Sequence, residues 1–103
     1  MPLKSASSII TRPLDALGPE IHPGHILRDL FLSKRHLSQD QLADRLAMNR
    51  VSLNRILNGR SGITADVALR LATFLKTTPH VWLNLQMTWD LHQAVKRAAR
   101  KAS

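Results

Sequence analysis

The sequence of 103 residues contains no cysteine, no tyrosine and only seven acidic residues. Without cysteine the chain forms no disulfide and offers no thiolate to a metal or a substrate, which is typical of a reducing compartment. We therefore expect a cytoplasmic protein. No apolar run approaches the roughly 20 residues that span a bilayer, and the N-terminus lacks the apolar segment of a secretory signal. We expect no membrane partner.

The motifs of common enzyme classes are also missing. There is no nucleophile motif, no glycine-rich phosphate loop and no pair of carboxylates placed for acid–base chemistry. The histidines lie apart from any acidic cluster, which argues against a metal site. They are better interpreted as surface or capping residues: His22, His25, His36, His80 and His92. We therefore expect no enzyme activity and no cofactor.

Positive charge is what the sequence has in excess. Fifteen Lys and Arg residues give a formal net charge of +8 and a pI of about 11.4. Such a balance favours an anionic partner, either nucleic acid or a membrane surface. We favour nucleic acid, because the apolar residues of the short third helix described below are all needed inside the fold. Between Asp44 and Asp66 the chain has no acidic residue, and it has four arginines there: Arg45, Arg50, Arg55 and Arg60.

Apolar residues recur at helical spacing from Pro23 onward, and no stretch alternates like an amphipathic strand. The sequence therefore predicts an all-α fold with five helices. The first spans about residues 23–35 and opens with Pro23, which suits a first helical turn. The second begins after Ser38, which forms a capping box with Gln41.

The remaining helices have their own start and stop signals. Asn49 is the expected N-cap of a third helix, which stops at Asn58 and Gly59. Thr64 caps the fourth helix, and Pro79 begins the fifth. The pattern leaves open whether residues 79–100 form one helix or two.

The second and third helices fit a helix-turn-helix, with residues 47–49 as the turn. This motif needs a tight turn and apolar residues that hold its second helix against its first. Ala43, Leu53 and Ile56 fill those inner positions. Ala47 stands where glycine is usual, so we expect a positive φ that costs a non-glycine residue about 1 kcal/mol.

If Leu53 and Ile56 face inward, the opposite face of the third helix is free to meet a partner. Arginine can bond guanine, asparagine can bond adenine, and valine can contact a thymine methyl group. The candidates for base contacts are Arg50, Val51, Asn54, Arg55 and Asn58. Helix starts and the loop after the third helix suit phosphates, and the candidates there are Gln39, Asn49, Ser52, Arg60 and Ser61. Arg45 stays undecided between a DNA contact and a solvated charge.

Trp82, Leu85 and Trp89 permit two interpretations. One is that they close the core over the first helix. The other is that they form the interface of a homodimer, which would place two reading helices roughly 34 Å apart and so raise affinity and specificity.

Three stretches within residues 21–93 together resemble one known family. They are IHPGHILRDLFL, LSQDQLADRLAMNRVSLNRILNGRSGIT and ADVALRLATFLKTTPHVWLNLQMTWDL. The most specific parts are HPG, LNGRSGITADVALRLA and TTPHVWLNLQ. In this order they resemble the HigA-type antitoxins of the lambda-repressor/Cro-like (XRE) helix-turn-helix superfamily.

The resemblance implies a five-helix lambda-repressor-like domain with a C-terminal helical extension. It also implies a homodimer that represses its own operon by binding an inverted repeat in double-stranded operator DNA, and that neutralises a RelE/HigB-like toxin that cleaves messenger RNA. By position, the residues that would contact DNA are Gln39, Asn49, Arg50, Val51, Ser52, Asn54, Arg55 and Arg60. Two alternatives stay open: a stand-alone repressor without a toxin, and a protein-binding inhibitor whose DNA contact is secondary.

The expected domain organisation has three parts. Residues 1–20 form a flexible N-terminal arm, residues 21–93 form the helix-turn-helix DNA-binding and dimerisation domain, and residues 94–103 form a basic tail.

Overall fold

The computed structural model describes residues 17–102. From residue 23 onward these residues contain five α-helices and one π-helical segment, and they contain no strand. The α-helices are α1 (Pro23–Leu27), α2 (Gln39–Leu46), α3 (Arg50–Leu57), α4 (Ala65–Leu75) and α5 (Pro79–Ala102). The predicted all-α class is confirmed.

The first helix differs from its prediction as one α-helix. After α1, the segment Arg28–Lys34 is π-helical, so each turn holds about one more residue than an α-turn. Leu27 and Phe31 are fully buried on either side of this change. Because these inward positions are four residues apart, their apolar character alone does not distinguish the two helix types.

The predicted start of α2 and the predicted end of α3 are confirmed. Ser38 Oγ accepts a hydrogen bond from the Gln41 N–H at 3.1 Å, and Gln41 Oε1 accepts one from the Ser38 N–H at 2.8 Å. Beyond α3, Gly59 has a φ of 73°, and its N–H donates to the Ile56 carbonyl at 3.0 Å. Glycine suits this left-handed conformation, which ends the helix.

Residues 21–86 form one compact unit. Its core is made of buried side chains from α1 to α4, the π-helical segment and the start of α5. Trp82 belongs to this core and is only 4% exposed. This tryptophan therefore has little surface to offer a second copy, which favours the core-closing interpretation at this position over the dimer interface. Leu85 and Trp89 are half-buried.

The described residues 17–20 and 87–102 belong to a second compact unit. Glu20 accepts hydrogen bonds from Lys96 Nζ and from Gln93 Nε2, the latter at 3.1 Å. The Lys96 hydrogen bond, followed by the one from Gln93, holds the pKa of Glu20 below its usual value.

The expected arm and tail each have residues within the described part of the chain, and their boundaries stay predictions. The Gly18 carbonyl lies 2.8 Å from His92 Nε2, so the last residues of the predicted arm contact α5. Residues 1–16 lie outside the described part of the chain. The predicted tail is helical to Ala102, because α5 is one continuous helix.

Among the helices of residues 17–102, none combines the length and the apolar character that crossing a bilayer requires.

Candidate nucleic-acid interface

The turn between α2 and α3 has the predicted strained conformation. Ala47 has φ 52° and ψ 45°, in the left-handed region. Its N–H donates to the Asp44 carbonyl at 3.1 Å, and the Met48 N–H donates to the Ala43 carbonyl at 2.9 Å. These bonds satisfy carbonyls at the end of α2 and turn the chain sharply into α3.

Arg70 of α4 holds the same turn from outside. Its guanidinium donates hydrogen bonds to the carbonyls of Ala47 and Leu46, the latter at 3.3 Å. Its Nε lies 3.0 Å from Asp66 Oδ2, which fixes the guanidinium in place. A positive group at the carbonyl end of a helix is favourable. Arg70 could not be assigned to this turn from the sequence, because its partners lie more than 20 residues away.

Gly24 of α1 sets how closely α1 approaches α3. A Cβ atom placed on Gly24 would lie 1.7 Å from the Ile56 carbonyl oxygen, a distance that no side chain can occupy. His22 caps α1 by accepting a hydrogen bond from the Gly24 N–H at 2.9 Å. The HPG motif therefore seats the backbone of α1 directly against the backbone of α3.

The loop that follows α3 is held by Gln86 of α5. The Gln86 Oε1 atom accepts a hydrogen bond from the Ile63 N–H at 2.7 Å. A Cβ on Gly62 would lie 3.0 Å from the Gln86 side chain. Gln86 therefore positions the loop that carries Arg60, and this role was also missed at the sequence level.

The face of α3 opposite the core is open to solvent. The Arg50 side chain is 63% exposed and Val51 is 68% exposed, although a valine normally avoids water. The other exposed residues of this surface are Asn49, Ser52, Arg55, Asn58 and Arg60, whereas Asn54 and Gln39 are half-buried. Arg45 is exposed on α2.

Two contacts join the start of α2 to this face. Asn54 Nδ2 donates to Gln39 Oε1 at 2.9 Å, so the predicted base candidate and the predicted phosphate candidate are direct neighbours. Arg50 forms an ion pair with Asp40 at 3.2 Å. Because both partners are mostly exposed, the ion pair contributes little to stability, but it restricts where the guanidinium points. Asp40 was not among the sequence candidates.

The start of α3 is less open to phosphate than the sequence indicated. Asn49 Oδ1 accepts hydrogen bonds from the Val51 N–H at 2.8 Å and from the Ser52 N–H at 3.3 Å. The cap that begins the helix therefore already uses two of the amide groups that would otherwise face an anion.

A tight turn, a buried inner face and an exposed basic second helix define a helix-turn-helix domain. The helix-turn-helix family HTH_3 matches residues 27–83. Virulence-associated protein I of Dichelobacter nodosus is 42% identical over 76 residues, which cover 74% of this chain and 70% of that protein.

Solved structures identify the branch of this family. A HigA-family addiction-module antidote protein from Coxiella burnetii is 45% identical, with a TM-score of 0.75 over 82% of this chain and 91% of that one. The Pseudomonas aeruginosa antitoxin HigA, solved with the higBA promoter, is 35% identical, with a TM-score of 0.75 over 82% of this chain and 92% of its own. The chain belongs to the HigA-type antitoxins of the helix-turn-helix family.

Proposed function

We propose that this chain is a DNA-binding antitoxin that represses its own operon as a dimer and neutralises a RelE/HigB-like toxin. The observation that carries the DNA part is the exposed face of α3, where arginines and Val51 stand on a helix fixed by Gly24 and by the turn at Ala47. An α-helix fits the major groove of B-DNA, where such side chains read base edges. Because its proposed partner is operator DNA, we propose that the protein acts in the cytoplasm.

Arg50 and Arg55 are the proposed main readers of bases. Both are exposed on α3, and arginine is the side chain that most often makes specific contacts to guanine. Arg60 lies exposed beyond the end of the helix, where a phosphate contact would fix the register of the protein on the duplex. The solved complex of the Pseudomonas relative with promoter DNA supports this use of the fold.

The small size of this surface supports a dimer. With eight residues, α3 is about 12 Å long and can reach only a few base pairs. On α5, Met87 is 54% exposed and Leu91 is 41% exposed, and their spacing of four residues places them on one helix face. Exposed apolar side chains at helical spacing favour burial against a second copy. We propose that this face contributes to the dimer interface. Leu85 and Trp89 lie on the other side of α5, so their predicted part in that interface is not included in this proposal.

Toxin neutralisation rests on family membership, since the related solved structures are antidote proteins. We propose that toxin contact and DNA contact use separable surfaces. The double substitution Arg50→Ala and Arg55→Ala then abolishes operator binding and leaves dimerisation and neutralisation intact. Operator binding is measured by fluorescence anisotropy with a duplex enriched from a randomised library. Neutralisation is measured by the growth of cells that express a RelE/HigB-like toxin encoded beside this chain's gene. The absence of any such reading frame there would favour the stand-alone repressor.

The matched control removes the same charge elsewhere. Arg28→Ala with Lys34→Ala changes two exposed basic residues of the π-helical segment, and we expect it to keep most of the operator affinity. Equal loss in both double variants would mean that net charge, rather than the α3 face, carries binding. Loss of neutralisation with retained operator binding in the α3 variant would contradict the proposed separation.

A further inference from the structure

Three amide side chains form a continuous relay from α2 to the end of α3. Asn58 Nδ2 donates to the Asn54 backbone carbonyl at 3.0 Å and to Asn54 Oδ1 at 3.1 Å. Asn54 Nδ2 in turn donates to Gln39 Oε1 at 2.9 Å. The relay therefore crosses the helix pair along the face that is proposed to meet DNA.

The relay has one direction, and a backbone atom fixes it. A carbonyl oxygen can only accept a hydrogen bond, so the Asn58 atom that faces the Asn54 carbonyl is its NH₂ group. The same NH₂ group faces the Asn54 side chain, which must present its oxygen there. Asn54 then presents its own NH₂ to Gln39, which must present its oxygen.

This direction determines which atoms remain for a partner. The Asn58 NH₂ group already bonds to two acceptors of Asn54, and its Oδ1 atom receives no hydrogen bond from residues 17–102. Asn58 thus offers a partner only an acceptor, whereas Gln39 keeps its NH₂ group as a donor. Phosphate oxygens only accept, so they suit Gln39 and do not suit Asn58.

We propose that Asn58 is a specificity-determining residue whose Oδ1 accepts a hydrogen bond from an exocyclic amino group in the major groove, and that Asn54 is the positioning residue that fixes the relay. Only adenine N6 and cytosine N4 offer such a donor in that groove. This inference rests on the proposed DNA reading by α3. Asn54 then has a structural role within the site, because the oxygen and the nitrogen of its side chain both form hydrogen bonds within the chain.

The test removes single amino groups from the DNA. In the duplex enriched by the wild-type protein, each adenine of a half-site is replaced in turn by purine deoxynucleoside, and each cytosine by 2-pyrimidinone deoxynucleoside, which lack only the amino group. Wild-type protein is expected to lose about three- to tenfold in affinity at the base that Asn58 contacts. Asn58→Ala is expected to be insensitive at that one position and normal at the others. The analogue that shows the effect distinguishes adenine from cytosine.

Asn84→Ala is the matched control, since Asn84 is an exposed asparagine of α5; it should respond to every analogue as wild type does. If Asn58→Ala responds to all analogues as wild type does, the inference is overturned while the proposed function stands. A uniform loss of affinity in Asn58→Ala would assign the residue to phosphate and also overturn it. Failure of the wild-type protein to enrich any duplex would overturn the proposed function together with the inference.

Discussion

Replacing Ala47 with glycine is expected to stabilise the protein. Ala47 has φ 52° and ψ 45°, where the Cβ of an L-residue approaches its own backbone and costs about 1–2 kcal/mol. Glycine avoids this strain but loses more conformational entropy on folding, which offsets about 0.4–1 kcal/mol. The side chain of Ala47 is exposed, so no core packing is lost. The expected net gain is about 0.5–1 kcal/mol, or about 2–8 °C in Tm for a domain of this size.

The measurement is chemical denaturation followed by circular dichroism, with the same substitution made elsewhere as a control. Ala98→Gly changes an exposed alanine within α5 and is expected to destabilise by about 0.5–1 kcal/mol. Opposite signs for the two substitutions would show that the backbone at Ala47 is strained. A decrease in stability for Ala47→Gly would refute the reasoning, because it would mean that the turn does not hold a left-handed residue.

Three further outcomes are expected. Gly24→Ala should destabilise the fold by about 3 kcal/mol or more, since its Cβ would meet the Ile56 carbonyl at 1.7 Å; near-native denaturation would contradict the close packing of α1 on α3. Operator affinity should fall by orders of magnitude between about 50 and 200 mM salt for a dimer that neutralises roughly 6 to 10 phosphates, and a flat response would exclude this docking. The pKa of Glu20 is lowered, so its contacts with Lys96 and Gln93 should stabilise the protein above pH 4.5. This stabilisation should be lost as pH falls through the folded-state pKa of Glu20. NMR titration measures that pKa, and Glu20→Gln should remove this dependence of stability on pH.

Local signals in the sequence predicted the helix-turn-helix well, for a physical reason. Caps such as Ser38 and Asn49 bond amides two or three residues away, so their partners are visible in a short stretch of sequence. The positive φ at Ala47 was predictable because glycine usually occupies this position of the motif. Helix starts and the turn were therefore predictable without knowing what packs on them.

Contacts between distant residues were not predictable in this way. Arg70 lies 23 residues from the carbonyl of Ala47 that it holds, and Gln86 lies 23 residues from Ile63. In the sequence alone, Arg70 resembles a solvated charge that pairs with Asp66, four residues before it. Only the packing of α4 against the turn gives it a second role.

In the candidate site too, local features were predictable from the sequence and contacts between helices were not. Exposure of the α3 face followed from helical periodicity, because Leu53 and Ile56 are buried as expected. The hydrogen bond between Asn54 and Gln39 depends on how α2 crosses α3, which the residue pattern alone does not specify. Residue types thus indicated the partner, while the packing of the helices determined which atoms remain available to it.

Selection from a randomised DNA library tests the central claim most directly. The wild-type protein is expected to enrich an inverted repeat whose half-sites lie one helical turn apart or a multiple of it, roughly 34 Å per turn, and the Arg50→Ala, Arg55→Ala variant is expected to enrich none. Enrichment of the same repeat by that variant, or no enrichment by the wild-type protein, would contradict operator reading by α3.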